Sequence, residues 1–287
     1  MALLANRVWR VVVGAALGNI RTGLAVDKHR CYFRVEKSIK PEPNKCTLQI
    51  WNLSRDQRAQ IEQMRPKKDD KTGIPVLIEA GYQATGASQI YLGDLRTTFS
   101  ERVGPDWITT VESGDGEQAQ QTARINQPFG PRTSPEVVLN AIVRTLGVGE
   151  GNVAKTLAKL RVSGVAKLFE QRVVISGRAA DALTNFTRSA GLEWSIQDGA
   201  LQILDRDKVL DGFAVRLGAS SGLVESPSVD PKGVLTCKML LQPSIRVGAL
   251  LVMESLTARG NYRIERASWE CDTHGRPWYV TVEAKRY

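Results

Sequence analysis

Apolar positions recur every second residue through the first third of the chain. Cys46, Leu48 and Ile50 alternate with Thr47, Gln49 and Trp51, the pattern of a half-buried strand. Arg7–Val13 is a β-branched apolar run stopped by Gly14, and residues 31–37 form a second strand candidate. Residues 76–80, 89–96 and 107–113 complete the set, with turns at Gly81-Tyr82 and Gly104-Pro105-Asp106. Many short strands at this spacing predict a sandwich or barrel. One segment breaks the period: Ser54 with Gln57 three residues on is a capping box, and a short helix follows to about Met64.

After Gly114-Asp115-Gly116 the period lengthens. Val138, Leu139, Ile142, Val143 and Leu146 recur at helical spacing behind Ser134-Pro135, a cap and a first-turn proline, and Gly147 ends the helix. Its apolar face reads as core. A second short helix is expected over residues 153–160, a strand over 172–175, and a helix over 176–190 ended by Gly191. Asp198-Gly199 between the alternations at 192–197 and 200–204 is a hairpin signal. The pattern then returns to β, with strands expected at 234–241, 249–255, 262–269 and 278–284.

The two β regions end alike. Trp107-Ile108-Thr109-Thr110-Val111-Glu112-Ser113 resembles Trp278-Tyr279-Val280-Thr281-Val282-Glu283-Ala284, each after a Gly/Pro turn, with Tyr91 and Tyr262 at the same offset upstream. The expected organisation is mainly β with an α+β insertion: residues 1–115 and 213–287 as two related tube-like β-barrel domains, 116–212 as the middle domain. A duplicated barrel in a trimer would present six similar barrels in a closed ring.

Composition adds exclusions. With 42% apolar and 24% charged residues the chain is not a disordered one. No run reaches the ~18–20 apolar residues of a membrane span. Arg7 and Arg10 interrupt the apolar N-terminus and no basic segment precedes it, so a cytoplasmically made soluble protein is expected. Cys31, Cys46, Cys237 and Cys271 form no CxxC pair and only His29 and His274 are present, so buried thiols are expected and a zinc site is not. Thirty-nine basic against thirty acidic residues leave a net charge of +9, spread along the chain, which keeps a basic nucleic-acid-binding module as one alternative.

The other alternative is an enzyme. Asp115 and Glu117 sit two apart among glycines and could act as paired carboxylates on a glycan in a peptidoglycan-cleaving tail protein. A polar turn after a strand is the favoured account of them, because no further acid cluster supports catalysis. The Gly218–Gly222 stretch holds serines without the spacing of a nucleophile elbow. Neither histidine has a nameable partner, Cys31 and Cys46 lie on neighbouring strands, and no nucleotide-binding glycine pattern occurs. Trp51, Trp107, Trp269 and Trp278 stand at strand ends, as core or as contact anchors.

Several motifs occur in a telling order. They are Pro43-Asn44, Asn52-Leu53-Ser54, Glu79-Ala80-Gly81-Tyr82, Tyr91-Leu92-Gly93 and the 114–116 turn, then the 241–248 stretch, Gly260-Asn261-Tyr262 and Asp272-Thr273-His274-Gly275-Arg276-Pro277-Trp278. In this order, over most of the chain, they resemble the central hub proteins of bacteriophage tail baseplates. The resemblance implies a homotrimeric ring of two barrels per subunit, between a six-fold tail tube and a three-fold spike. It implies a structural virion protein made in the host cytoplasm, with no catalytic residues, cofactor or metal. The implied partners are the chain itself, the tail tube protein, a spike or tail-tip protein, other baseplate proteins and a tape measure protein.

Overall fold

The computed structural model describes residues 6–14, 23–64, 73–162, 171–218 and 221–287. The mixed-charge run at 67–71, parts of the apolar N-terminus and Ala219-Ser220 lie outside the described residues. Alternation does build the first sheet. Its strands are β1 (Arg7–Val13), β2 (Leu24–Val26), β3 (Cys31–Ser38), β4 (Asn44–Trp51), β5 (Pro75–Tyr82), β6 (Gly86–Val103) and β7 (Asp106–Asp115). Phe33, Val35, Leu48 and Ile50 are fully buried on the inner face while their neighbours face outward. Each such burial removes apolar surface worth about 1.5–3 kcal/mol from water. Helix α1 (Arg55–Gln63) starts on the expected capping box: Ser54 Oγ accepts from Gln57 N at 3.2 Å, and Gln57 Oε1 accepts from Ser54 N at 2.9 Å.

The middle of the chain holds α2 (Glu117–Thr122), β8 (Arg124–Phe129), α3 (Pro135–Leu146), α4 (Val153–Val162), β9 (Val173–Arg178), α5 (Ala179–Ser189), β10 (Leu192–Gln197) and β11 (Ala200–Asp205). Here β8 pairs with β9 and β10 with β11, both antiparallel. Helix α3 is capped by the Ser134 side chain and ends at Gly147 in the left-handed region, at φ 69°. The β10–β11 turn uses Asp198 (φ 55°) and Gly199 (φ 78°), two successive positive φ values as a type I′ turn requires. Val138, Leu139 and Ile142 of α3 share one core with Leu183 of α5, Ile196 of β10 and Leu201 of β11. Strand β8 had no signal in the sequence, and α5 begins at Ala179 rather than Ser176 because β9 continues to Arg178.

The last third forms β12 (Ala214–Gly218), β13 (Ser228–Val229), β14 (Val234–Leu240), β15 (Leu250–Glu254), β16 (Arg259–Asp272) and β17 (Trp278–Arg286). The chain divides into two compact units. One comprises Met1–Ser38, Asn44–Asp115 and Val209–Tyr287; the other comprises Ile39–Pro43 and Gly116–Lys208. Thus the first and last β segments share one unit and one sheet, because β3 pairs with β16 over Ser38–Tyr32 and Arg266–Asp272.

The two β halves are related copies. The N-terminal half runs β1-β5-β6-β7-β4-β3, and the C-terminal half runs β12-β15-β16-β17-β14-β13. In both, the long hairpin carries one bulge at the same level. Leu95 opposes Ser113 and Thr97 opposes Glu112, with Arg96 extra; Ile264 opposes Ala284 and Arg266 opposes Glu283, with Glu265 extra. A bulge sharpens local twist and re-aims the strand beyond it, so a shared bulge is a designed feature. It also corrects one detail of the match between the two β regions. Gly104 and Pro105 join the first hairpin, but the four residues from Thr273 to Arg276 join the second. Counting from the bulge, Tyr91 therefore matches Gly260, and Tyr262 matches Gly93. The copies also differ at this end: β1 is antiparallel to β5 and carries β2 on its other edge, whereas β12 is parallel to β15 and has no further partner strand among the described residues.

Candidate assembly surface

The motif residues fasten corners of the β unit. Asn52 takes a left-handed φ of 55°; its Oδ1 accepts from Trp107 N at 3.0 Å, and its Nδ2 donates to Asp106 at 2.9 Å. One residue thereby ties the exit of β4 to the start of β7. Asn44 does the same at the other end, accepting from Ser38 N at 3.0 Å and donating to Asp115 Oδ2 at 3.2 Å. Tyr91 is fully buried and shares a 2.9 Å hydrogen bond with Ser113, and a Cβ on Gly93 would collide with its phenol oxygen. Burial pushes the Tyr91 hydroxyl well above its ordinary pKa.

A second set joins the halves. Asp272 accepts from Arg30 through both carboxylate oxygens, and its Oδ1 also accepts from the backbone of His274 and Gly275. Arg7 donates to the carbonyls of Asp272 and Gly275, each at 2.6 Å, and lies 5.2 Å over the Trp278 ring. Burial alone would raise the Asp272 carboxyl, but the Arg30 hydrogen bond and the two backbone donors outweigh it and hold it below the ordinary value. Cys31 N donates to Thr273 Oγ1 at 2.9 Å, closing the seam from the β3 side.

The candidate catalytic residues each make local contacts. Asp115 is fully buried at the end of β7 on its Asn44 partner; Glu117 opens α2, where it accepts from Gln121 at 3.0 Å. His274 shares a 2.9 Å hydrogen bond with Thr273 and meets Trp9 edge-on at 6.0 Å. His29 is a loop residue whose carbonyl faces the Cys31 thiol at 3.5 Å. All four cysteines are buried and unbridged, and burial pushes the Cys31 and Cys237 thiols up to about 12. Among the described residues, no group of three or more His, Cys, Asp or Glu is placed to hold a metal ion, and no helix is long and apolar enough to cross a membrane.

The tryptophans divide. Trp269 and Trp278 are core, with Lys37 5.8 Å from the first ring and Phe33 edge-on to the second. Trp107 stays 37% exposed under the Arg58 guanidinium at 4.2 Å, and Trp51 sits under Arg30 at 4.5 Å. Other large apolar side chains are also left in solvent. Phe99 and Val103 stand on one outer face of β6, and Val224, Val229 and Phe213 stand near the first and last strands of the C-terminal half. Sequence reading missed the far half of β6, whose 97–103 stretch lacks a clean alternation. The cue was the Gly104-Pro105 turn: a hairpin needs a partner as long as the 107–113 strand.

A duplicated sheet with an α+β segment inserted is a fold shared with phage-tail proteins. The 43 kDa tail protein of prophage MuSo2 from Shewanella oneidensis superposes with a TM-score of 0.61 at 10% identity, covering 96% of each chain. A tail protein from Neisseria meningitidis MC58 gives 0.58 at 8% identity over 98% of this chain and 97% of that one. The Escherichia coli c3393 protein, a type VI secretion component with structural similarity to the T4 tail proteins gp27 and gp5, gives 0.53 at 10% identity over 90% and 74%. Among curated proteins no sequence matches. The chain belongs to the baseplate hub gp41 family, which it matches over residues 19–284. It is a structural protein of the bacteriophage tail.

Proposed function

We propose that the chain assembles as a homotrimeric ring joining a six-fold tail tube to a three-fold spike. The observation that carries this is the repeated strand order with its shared bulge. Two similar barrels per chain, 1–115 and 213–287, turn three-fold symmetry into six similar faces, while the inserted 116–212 segment keeps three. The ring would dock the tube protein on one face and the spike or tail-tip protein on the other, with further baseplate proteins and the tape measure protein as neighbours. Its mechanism is geometric and uses no catalytic residue. The fully buried Asp115 supports that reading, since a carboxylate held by Asn44 is not offered to a glycan.

Native mass by light scattering, with electron-microscopy class averages of the same sample, tests the proposal. A ring of three subunits with a central hole is the expected result. A lasting monomer, even with tube and spike proteins present, would overturn it.

A further inference from the structure

The β16–β17 turn is fastened by an arginine that has no acid of its own. Arg7 Nη1 donates to the carbonyls of Asp272 and Gly275, and Nη2 donates to that of Arg276 at 3.2 Å. Three of the five N–H groups of the guanidinium are thereby used. Its Nε–H and one Nη2–H meet no acceptor among the described residues, and no carboxylate there pairs with Arg7. Asp272, in the same turn, is already taken: Arg30 donates to it through Nε at 3.3 Å and Nη2 at 2.7 Å, and the His274 and Gly275 amides complete it. Arg30 thus shows within this chain what the Nε and Nη2 edge of an arginine does with a carboxylate.

Arg7 forms one wall of an open recess of about 480 Å³. Asn6, Trp9, Thr273, His274 and Gly275 form the rest, so the lining holds no acidic side chain. His274 spends Nδ1 on Thr273 Oγ1 and leaves Nε2 without a partner among the described residues. Cys31 N already donates to Thr273 Oγ1, so the hydroxyl proton is free to go to Nδ1, and the imidazole proton then sits on Nε2 as a further donor. Trp9 stands edge-on to that imidazole, and its Nε1 is closed off from solvent with no acceptor. An unpaired donor of this kind is costly. The walls therefore carry a guanidinium edge, an imidazole nitrogen and an indole donor, with no anion to balance them.

We infer that this recess binds an oxyanion, a carboxylate or a phosphate group, held side-on by Arg7 Nε and Nη2 and met by His274 Nε2. Its volume exceeds that of the group itself and leaves room for part of the molecule that carries it. The site occurs once per chain. The counterpart turn, Gly104-Pro105, is two residues shorter and has no residue in the place of His274; there Arg58 covers Trp107 and donates to Leu53 O. All six lining residues belong to the β unit, so the site does not depend on the ring proposed above.

The chain has only two histidines, and His29 does not line the recess, so it serves as an internal control. The full chain with isotope-labelled histidine is titrated by nuclear magnetic resonance with sodium phosphate and, separately, with sodium acetate, at constant ionic strength made up with sodium chloride. The expected result is a saturable shift of the His274 imidazole signals with His29 unmoved, half-complete at about 1–10 mM. A tighter response to phosphate assigns a phosphoryl group as the ligand, and a tighter response to acetate assigns a carboxylate. Arg7→Gln should weaken the response about tenfold, and Arg7→Lys should weaken it less, since the charge stays and the fork goes. Arg7 also fastens the turn, so His274→Gln gives a second route: anion binding read by calorimetry should fall about fivefold with circular dichroism unchanged. No shift, equal unsaturated shifts at both histidines, or binding that survives both Arg7→Gln and His274→Gln would overturn the site.

Discussion

Arg30 holds Asp272 across the seam between the two β halves, Nη2 to Oδ2 at 2.7 Å. The carboxylate also anchors the His274 and Gly275 backbone, so it sets the turn between β16 and β17 as well as the seam. Removing it would take that acceptor from four N–H donors on three residues in a partly buried site. Asp272→Ala is expected to cost about 2 kcal/mol in urea unfolding at neutral pH. An unchanged midpoint would show that the seam is held elsewhere.

The same carboxyl gives an acid dependence. Its folded pKa lies below the ordinary value, so its stabilisation is complete above about pH 4 and is lost as pH falls through the lowered value. Asp272→Asn should therefore lose stability at neutral pH and converge with the parent in acid. Parallel curves down to the lowest pH would contradict the assignment.

The Tyr91 corner makes a steric prediction. A Cβ at Gly93 meets the Tyr91 phenol, which is locked between strands. Gly93→Ala should destabilise the β unit by about 1–3 kcal/mol, the usual cost of overpacking. Tyr91→Phe should cost about 1 kcal/mol and relieve part of the Gly93→Ala penalty, since the colliding atom is gone. Thermal melts of the two single variants and the double variant give the coupling.

Asn52 separates conformation from bonding. Asn52→Gly keeps the left-handed backbone and loses the bonds to Asp106 and Trp107; Asn52→Ala loses both. Alanine should be the more destabilising by about 1 kcal/mol. Equal losses would mean that the positive φ is not strained there.

Thiol titration checks the packing of the β unit. Burial raises all four cysteine pKa values, Cys31 and Cys237 to about 12. A disulfide reagent at about pH 8 should react slowly with the native chain and rapidly with four thiols in denaturant. Fast native labelling would show that the β sheet opens.

Elements whose causes lie within a few residues were readable in the chain. The Ser54–Gln57 box, the Ser134-Pro135 start and Gly147 stop of α3, and the Asp198-Gly199 turn are short-range devices, and each is found where its chemistry puts it. Alternation likewise marked β4, because one buried face imposes period two. The duplication was legible at Trp107 and Trp278, yet the gapless match of Tyr91 to Tyr262 failed. A loop length shifts register without leaving any mark on the strand that it shifts.

Contacts across long stretches of chain were not legible. Nothing local to Arg30 points to Asp272, and nothing in residues 31–38 announces that they pair with 266–272. Strand β13 and the far half of β6 carry weak patterns because an outer strand is not asked to bury both faces. Local propensity can specify that a segment is a strand. Which strand lies beside it depends on closing loops of many residues against the summed burial of the whole sheet, and that balance exists only once the chain has folded.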